Sequence, residues 1–392
     1  MGNVLDGYKI LDLSRFIAGP FCAMLLGDMG AEVIKVESPG GDDGRLMKPA
    51  IDDLSTYFML TNRNKCSITL NMKSPQGKEI LRGLVKDADV VVENFRPGTL
   101  DRLGFGYEAL REINPKIILT SITGFGQDGP YAERPAFDSV AQAMGGLMNQ
   151  TGDSKPVLAG SWIADYGAGL YGAFGTMLAL LHRERTGVGQ HVDVSLLETV
   201  FSWLRTSVPD FLLFGKKHNR AADRNPYRCP VGTFETSDGY IYITATTHEQ
   251  FVGVCKCAEH LEWIDDPRFC SELVRLDHAE EFCHLLTKWT KTVTTEQCLD
   301  LLIKADVPCA PINDVEQVLA NPQIQARQGV VWQKCHTGQD IPLINVTVKM
   351  SETPGSVRFP PPKLGNYNED YYGGKLGFST EEIAKLKSDG VI

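Results

Sequence analysis

Short apolar runs alternate with helix-period segments through the first half of the chain. Residues 8–14 (YKILDLS) predict a buried strand, 20–29 a helix and 31–37 (AEVIKVE) a second strand. The pattern repeats with a helix near 75–87, a strand at 88–95 (ADVVVENF), a helix near 107–113 and a strand at 116–125 (KIILTSITGF). A further strand is expected at 190–198 (QHVDVSLLE). Alternation of this kind predicts an α/β fold, a doubly wound (Rossmann-like) parallel sheet with helices on both faces. Ligands of such sheets sit at the carboxyl ends of the strands.

Residues 215–231 (GKKHNRAADRNPYRCPV) are polar, basic and Pro-containing, and read as a loop into a second domain. That domain opens with a hairpin, GTFET and YIYITAT around a turn at Ser237-Asp238-Gly239. Helical patterns follow near 248–260, 276–290 and 294–304, then a short strand in PCAPIND. From about 325 the chain turns β-like and Pro-rich, and a last helix starts at Ser379 with Glu382 at capping-box spacing. The expected organisation is a large domain from 1–210 completed by 326–392, with a smaller α/β domain at 225–325 inserted between extended linkers.

A length of 392 residues fits two domains better than one core. A net charge of -10 and a pI near 5.4 argue against a nucleic-acid footprint and a polybasic membrane surface, so an anionic ligand must be held by local cations. The ten cysteines show no C-x-x-C spacing, and Cys255 and Cys257 are poorly placed to share a metal. With no secretory signal in residues 1–12 they read as reduced thiols of a cytoplasmic or matrix-like compartment, which makes the sequons at Asn149 and Asn345 chance matches. No His/Cys/Asp cluster has metal spacing, so no metal is expected. The first β-α turn reads R-F-I-A-G-P, which lacks the G-x-G-x-x-G fingerprint and weakens a dehydrogenase reading.

The candidate chemistry centres on Asp165, in S-W-I-A-D-Y-G-A-G-L-Y-G-A-F-G-T-M-L-A-L-L at 161–181. One carboxylate stands at the front of a long apolar, Gly/Ala-rich segment, read as a buried core helix. An ionised carboxylate is costly to bury without partners. It either caps the helix N-terminus or does chemistry in a site that excludes water. Spacing alone leaves both readings open. Candidate cations for an anionic ligand are Arg63, Lys65, Lys73, Arg96 and Arg102, and Asn94 and Arg102 fall at and just after a predicted strand end. Arg15, Arg45, Arg224 and Arg228 are candidate carboxylate clamps, because guanidinium groups bind carboxylates in bidentate fashion. His182, His191 and His248 read as surface or packing residues.

A set of motifs in fixed order carries a resemblance. They are LDLSRFIAGP, GAEVIKVESPGGDD (30–43), NRNK (62–65), VENFRPG (92–98), ITGFGQDGP (122–130) and RTGVGQHVDVSLLE (185–198). Together they resemble the class III CoA-transferase family (CaiB/BaiF type), which includes formyl-CoA and carnitine CoA-transferases. The resemblance implies a catalytic aspartate at Asp165. It implies CoA contacts at Leu70, Lys73, Asn94 and Arg102, with Phe137 near the reacting thioester. It implies acyl-CoA and a small carboxylic acid as substrates, coenzyme A as a substrate and not a resident cofactor, and an intertwined homodimer. Ser38 stands where some members carry arginine, and Ile17 where some carry glutamine. The segment RNPYRCPVG (224–232) replaces the glycine-rich flap of formyl-CoA transferases and is expected to select the acid.

Two rivals remain in view. An acyl-CoA racemase on the same fold pairs a histidine with the aspartate, at a position that falls near Met148 here. Methionine cannot shuttle a proton, and none of the eight histidines precedes residue 182. A non-catalytic CoA-binding protein would not need Asp165.

Overall fold

The structure is a computed structural model and describes residues 2–218, 220 and 225–392. The chain forms two compact units: 1–147, 158–215 and 326–392 make the first, and 148–157 with 216–325 make the second. The segment 148–157, assigned to the large domain by its sequence position, thus packs with the second unit.

The first unit is built on a six-stranded parallel sheet. Its strands are β1 (Lys9–Asp12), β2 (Glu32–Glu37), β3 (Lys65–Thr69), β4 (Val90–Glu93), β5 (Ile118–Thr123) and β6 (His191–Ser195). Their spatial order is β3-β2-β1-β4-β5-β6, the doubly wound order in which the chain reverses direction between β1 and β4. Strand residues alternate between two cores, which is why the runs read as continuously apolar. Leu11, Ile34, Ile68, Val91 and Leu119 pack on one face with Tyr372, Ile383 and Leu386 of the C-terminal segment. Ile10, Val33, Val92, Ile118 and Ile122 pack on the other with α1 (Ala18–Asp28) and α4 (Ile163–Thr186). Helices α2 (Pro75–Lys86) and α3 (Asp138–Met144) complete what the site needs.

Strand β3 is absent from the sequence reading because KCSIT does not look buried. In the fold Lys65 and Ser67 are both 0% exposed and face carboxylates of neighbouring strands. Residues 207–214 form a helix just before the expected loop, and 330–334 pairs with 340–344 as an antiparallel hairpin in the stretch expected to be β-like.

The second unit holds an antiparallel sheet of Val231–Glu235, Tyr240–Thr244 and Cys309–Pro311. Helices Ala279–Thr290 and Thr295–Lys304 bury Phe282, Leu286, Cys298 and Leu302 in its core. Capping boxes start the helices after Thr247 and Thr294. In the first unit a capping box at Ser379 starts the last helix. Cys22, Cys66, Cys255, Cys257, Cys270, Cys298, Cys309 and Cys335 are free thiols. Among the described residues no helix is long and apolar enough to cross a membrane, and no group of three or more His, Cys, Asp or Glu side chains could hold a metal ion.

Candidate active site

Helix α4 begins at Ile163, and Asp165 lies in its first turn. Its own side chain does not cap the helix. Asp138, at the start of α3, does so across space: its Oδ1 accepts from the Ala164 amide at 2.7 Å and the Asp165 amide at 3.3 Å. Gln142, one turn along α3, fixes Asp138 by donating to Oδ2 at 2.6 Å. The capping explanation of Asp165 is therefore taken by another residue.

The Asp165 carboxyl group receives no hydrogen bond from a described residue. Burial pushes its pKa up to about 7, and the neighbouring Asp138 charge adds to the rise. The glycines that follow serve close packing. A Cβ at Gly169 would lie 2.7 Å from the Ala18 carbonyl oxygen, and one at Gly172 would lie 2.6 Å from Ile122. That brings α4 onto α1 and β5 and sets the Asp165 end of the helix above the sheet.

Asp165 opens into a cleft of about 700 Å³ at the carboxyl ends of β1 and β4. This is the point where the strand order reverses, the ligand position of doubly wound sheets. Arg15, Phe16, Ile17 and Ala18 form one wall, and Asn94, Phe95, Arg96 and Pro97 form another. The two walls are tied together. Asn94 accepts from the Arg15 amide at 2.8 Å and donates to the Arg15 carbonyl at 2.7 Å. Phe16 is held at φ 63°, a left-handed conformation that a bulky residue rarely adopts and that is found where function constrains the backbone.

Aromatic side chains close the cleft around Asp165. Phe16 meets Phe137 edge-on at 5.8 Å, and Tyr57 meets Trp162 edge-on at 5.5 Å. Burial, then the nearby Asp165, pushes the Tyr57 phenol up to about 12, so it remains a proton donor at neutral pH. Cations also line the cleft. Arg15 lies 3.5 Å from Asp43, and Arg134 stacks 3.9 Å over Tyr131.

A buried ionic network anchors the same region. Lys65 donates to Asp12 at 2.8 Å, to the Pro20 carbonyl at 2.7 Å and to Asn62 at 3.0 Å. Lys35 bonds the Ser14 carbonyl and pairs with Asp42, both at 3.0 Å. Arg45 grips Glu37 through two bonds of 2.7 Å. Burial pushes Lys65 down to about 8. It pushes Asp12 up, but Lys65 and Lys35 more than offset this and leave Asp12 below the usual carboxylate range.

The structure thus brings Asp165, Asn94, Phe137, Arg15 and Arg96 into one cleft. Arg102 is exposed and donates to Thr99, itself a cleft residue, at 3.0 Å. Lys73 is exposed in the turn between β3 and α2. Other candidates require correction. The Leu70 side chain is 1% exposed and sits in the core, so it offers no side-chain contact to a ligand. Arg63 is 5% exposed and spends its guanidinium on Asp28, at 3.0 and 2.6 Å. Lys65 and Arg45 are consumed by the network above, and Arg228 pairs with Glu272. Ser38 donates to the Gly41 carbonyl. His182 and His248 are exposed, while His191 bonds Ser121. Met148 belongs to the second unit, and Arg224 lies outside the described residues. The sequence reading missed Tyr57, Arg134, Asp138 and Trp162. Only Asp138 left a signal, an acid followed at i+4 by Gln142 at a helix start.

Residues 5–368 match the profile of CoA-transferase family III. This chain belongs to that family. It is 38% identical to the succinyl-CoA–L-malate CoA-transferase beta subunit of Chloroflexus aurantiacus, over 99% of this chain and 98% of that one. It is also 38% identical to the human succinyl-CoA:glutarate CoA-transferase, over 100% of this chain and 91% of the relative. Among solved structures, a CaiB/BaiF family protein from Brucella suis superposes with a TM-score of 0.87 at 37% identity, covering 95% of this chain and 100% of its own. The Mycobacterium tuberculosis protein Rv3272 superposes with a TM-score of 0.84 at 30% identity, covering 94% and 99%. The family III chain is a CoA-transferase, and the cleft carrying Asp165 is its candidate active site.

Proposed function

We propose that this enzyme transfers CoA between an acyl-CoA and a small dicarboxylic acid, with Asp165 as the covalent acceptor. The observation that carries the reading is an unpartnered carboxylate in an aromatic-walled cleft, whose capping duty is performed by Asp138. The Asp165 carboxylate attacks the thioester carbonyl, the C–S bond breaks, and a mixed anhydride forms with release of CoA thiolate. The thiolate attacks the aspartyl carbonyl, giving an aspartyl-CoA thioester and the first free acid. The acceptor carboxylate then repeats both steps in reverse. Carboxylate and thiolate simply exchange, so the cycle needs no net proton transfer. Both intermediates hydrolyse, and the aromatic walls restrict water.

The pKa of Asp165 near 7 also supports a nucleophile, because a carboxylate lifted from the usual range is more basic and still substantially ionised at neutral pH. A dicarboxylic acceptor is supported by the names of the relatives, which act on succinyl-CoA with malate or glutarate. Arg15, Arg96 and Arg134 supply cations for a distal carboxylate or for CoA phosphates. No histidine lines the cleft among the described residues, which disfavours racemisation.

The test incubates the enzyme with succinyl-CoA and a panel of mono- and dicarboxylic acids and looks for new thioesters. Hydroxylamine trapping should give a hydroxamate on Asp165. Absence of both a new thioester and an adduct overturns the mechanism.

We further infer a homodimer. Leu170, Phe174, Leu178 and Leu181 form one exposed apolar row along α4, each about half exposed, and such a row calls for a partner. Light scattering should give twice the 43.2 kDa chain mass. Free thiols such as Cys22, Cys66, Cys255 and Cys298 fit a reducing compartment, the cytoplasm or a matrix.

A further inference from the structure

Glu93 ends β4 inside the protein, 4% exposed, and the proposed transfer does not use it. Its carboxylate accepts from the Phe95 amide at 2.7 Å, and the Ser121 side chain lies near enough to favour the ionised form. Ser121, 1% exposed on β5, lies 2.9 Å from Nε2 of His191 on β6. The His191 ring stacks on Tyr107 with centroids 5.5 Å apart. The line opens onto a second cavity of about 480 Å³, and Arg96 and Pro97 line both this cavity and the catalytic cleft.

The other end of the line reaches Asp165's surroundings. The Phe95 amide fixes the turn that presents Asn94. Asn94 clasps both sides of the Arg15 peptide, and Arg15 leads into the strained Phe16. Directional bonds therefore connect Glu93 to the wall of the cleft. No link depends on an exposed, flexible ion pair.

The Phe95 bond depends on the charge of Glu93: only the carboxylate holds the amide with a charge-assisted bond. Burial pushes Glu93 up to about 7, against the Ser121 and Phe95 hydrogen bonds and with help from Asp193 and Asp101. Desolvation lowers the pKa of His191 and favours a neutral ring. The remaining charged or titratable groups around the cavity are Arg96, Tyr107 and Glu108.

We propose that Glu93 is a positioning residue for CoA transfer: by holding the Phe95 amide it fixes the Asn94–Arg15 clasp, and its proton loosens that wall. The role rests on the transfer reading above.

The test measures kcat/KM for CoA transfer from succinyl-CoA to the panel acids between pH 5.5 and 8.5. Wild type is compared with Glu93→Gln and Glu93→Ala. Glu93→Ala should lose about 100-fold, the scale of a small misplacement of reacting groups. Glu93→Gln keeps an oxygen for the Phe95 amide and should stay within about tenfold of wild type. The acid limb of wild type should be steeper than that of Glu93→Gln, which has no proton to gain at this position, and the two should converge as pH falls. An equally steep limb in Glu93→Gln, or wild-type kcat/KM in Glu93→Ala, overturns the role alone. If Glu93→Ala fails to fold, the Glu93→Gln limb decides. If wild type forms no new thioester with any panel acid, the transfer reading falls and this role with it.

Discussion

Two carboxylates of the same unit, Asp12 and Asp165, show what partners do to a buried charge. Asp12 is 0% exposed, yet Lys65 at 2.8 Å, Lys35 at 4.0 Å and the Ser14 amide at 3.0 Å keep it ionised and below the usual range. Asp165 is less enclosed, but it has no donor among the described residues and an acid, Asp138, beside it, and its pKa rises to about 7. Burial alone does not separate them. The difference is whether the fold supplies counter-charges, and withholding them lifts the carboxyl's pKa.

The contrast can be broken first at Asp165. Asp165→Asn should reduce CoA transfer by about 1,000-fold or more, as loss of a covalent nucleophile does. It should also stabilise the fold. A carboxyl raised to about 7 favours the native state only while protonated, so its contribution is present below the unfolded pKa and lost as pH rises through about 7. Thermal melts should show the variant more stable by about 2–4 kcal/mol at pH 8, with the gap closing toward pH 4.

The satisfied network should respond in the opposite way. Lys65→Met strips Asp12 of its nearest cation and should cost about 3–5 kcal/mol in urea denaturation. Arg63→Met should do the same through Asp28, with no change in the KM for acyl-CoA of the folded enzyme. A raised KM with unchanged stability would return Arg63 to the substrate site.

Asp138→Asn sharpens the comparison further. The amide oxygen still accepts from Ala164, so helix stability should fall by only about 1 kcal/mol. Removing the like charge should lower the Asp165 pKa, and the acid limb of kcat/KM should move to lower pH. A limb that stays in place would show that burial alone sets the Asp165 value. The smallest effect is expected at Arg102. Arg102→Gln should raise the KM for acyl-CoA roughly fivefold with no change in melting temperature, as loss of one exposed phosphate contact would.

Much of the scaffold was legible in the pattern. Five of the six sheet strands and the Asp165 helix follow from apolar runs and their spacing, because strands covered on both faces must read as continuously apolar. Strand β3 was hidden. Lys65 and Ser67 look like surface residues until Asp12 and Glu37 are placed opposite them. The same blindness made Arg63 and Arg45 look like ligand cations. A cation's sequence neighbours do not reveal whether a distant strand brings it a carboxylate.

Local periodicity, with side chains three or four residues apart, was enough to specify the doubly wound sheet, the cap at Ser379 and the isolation of Asp165 at the head of an apolar helix. Packing between distant segments set the rest: Asp138 caps that helix, Asn94 ties the β4 turn to the β1 turn, and Tyr57 and Trp162 wall the cleft. Those contacts join segments separated by 26 to 108 residues in sequence, and the register of the parallel strands places them together. A carboxylate's charge state depends on which groups that register brings within a few ångströms. That is why Asp12 and Asp165, alike as letters, differ as chemistry.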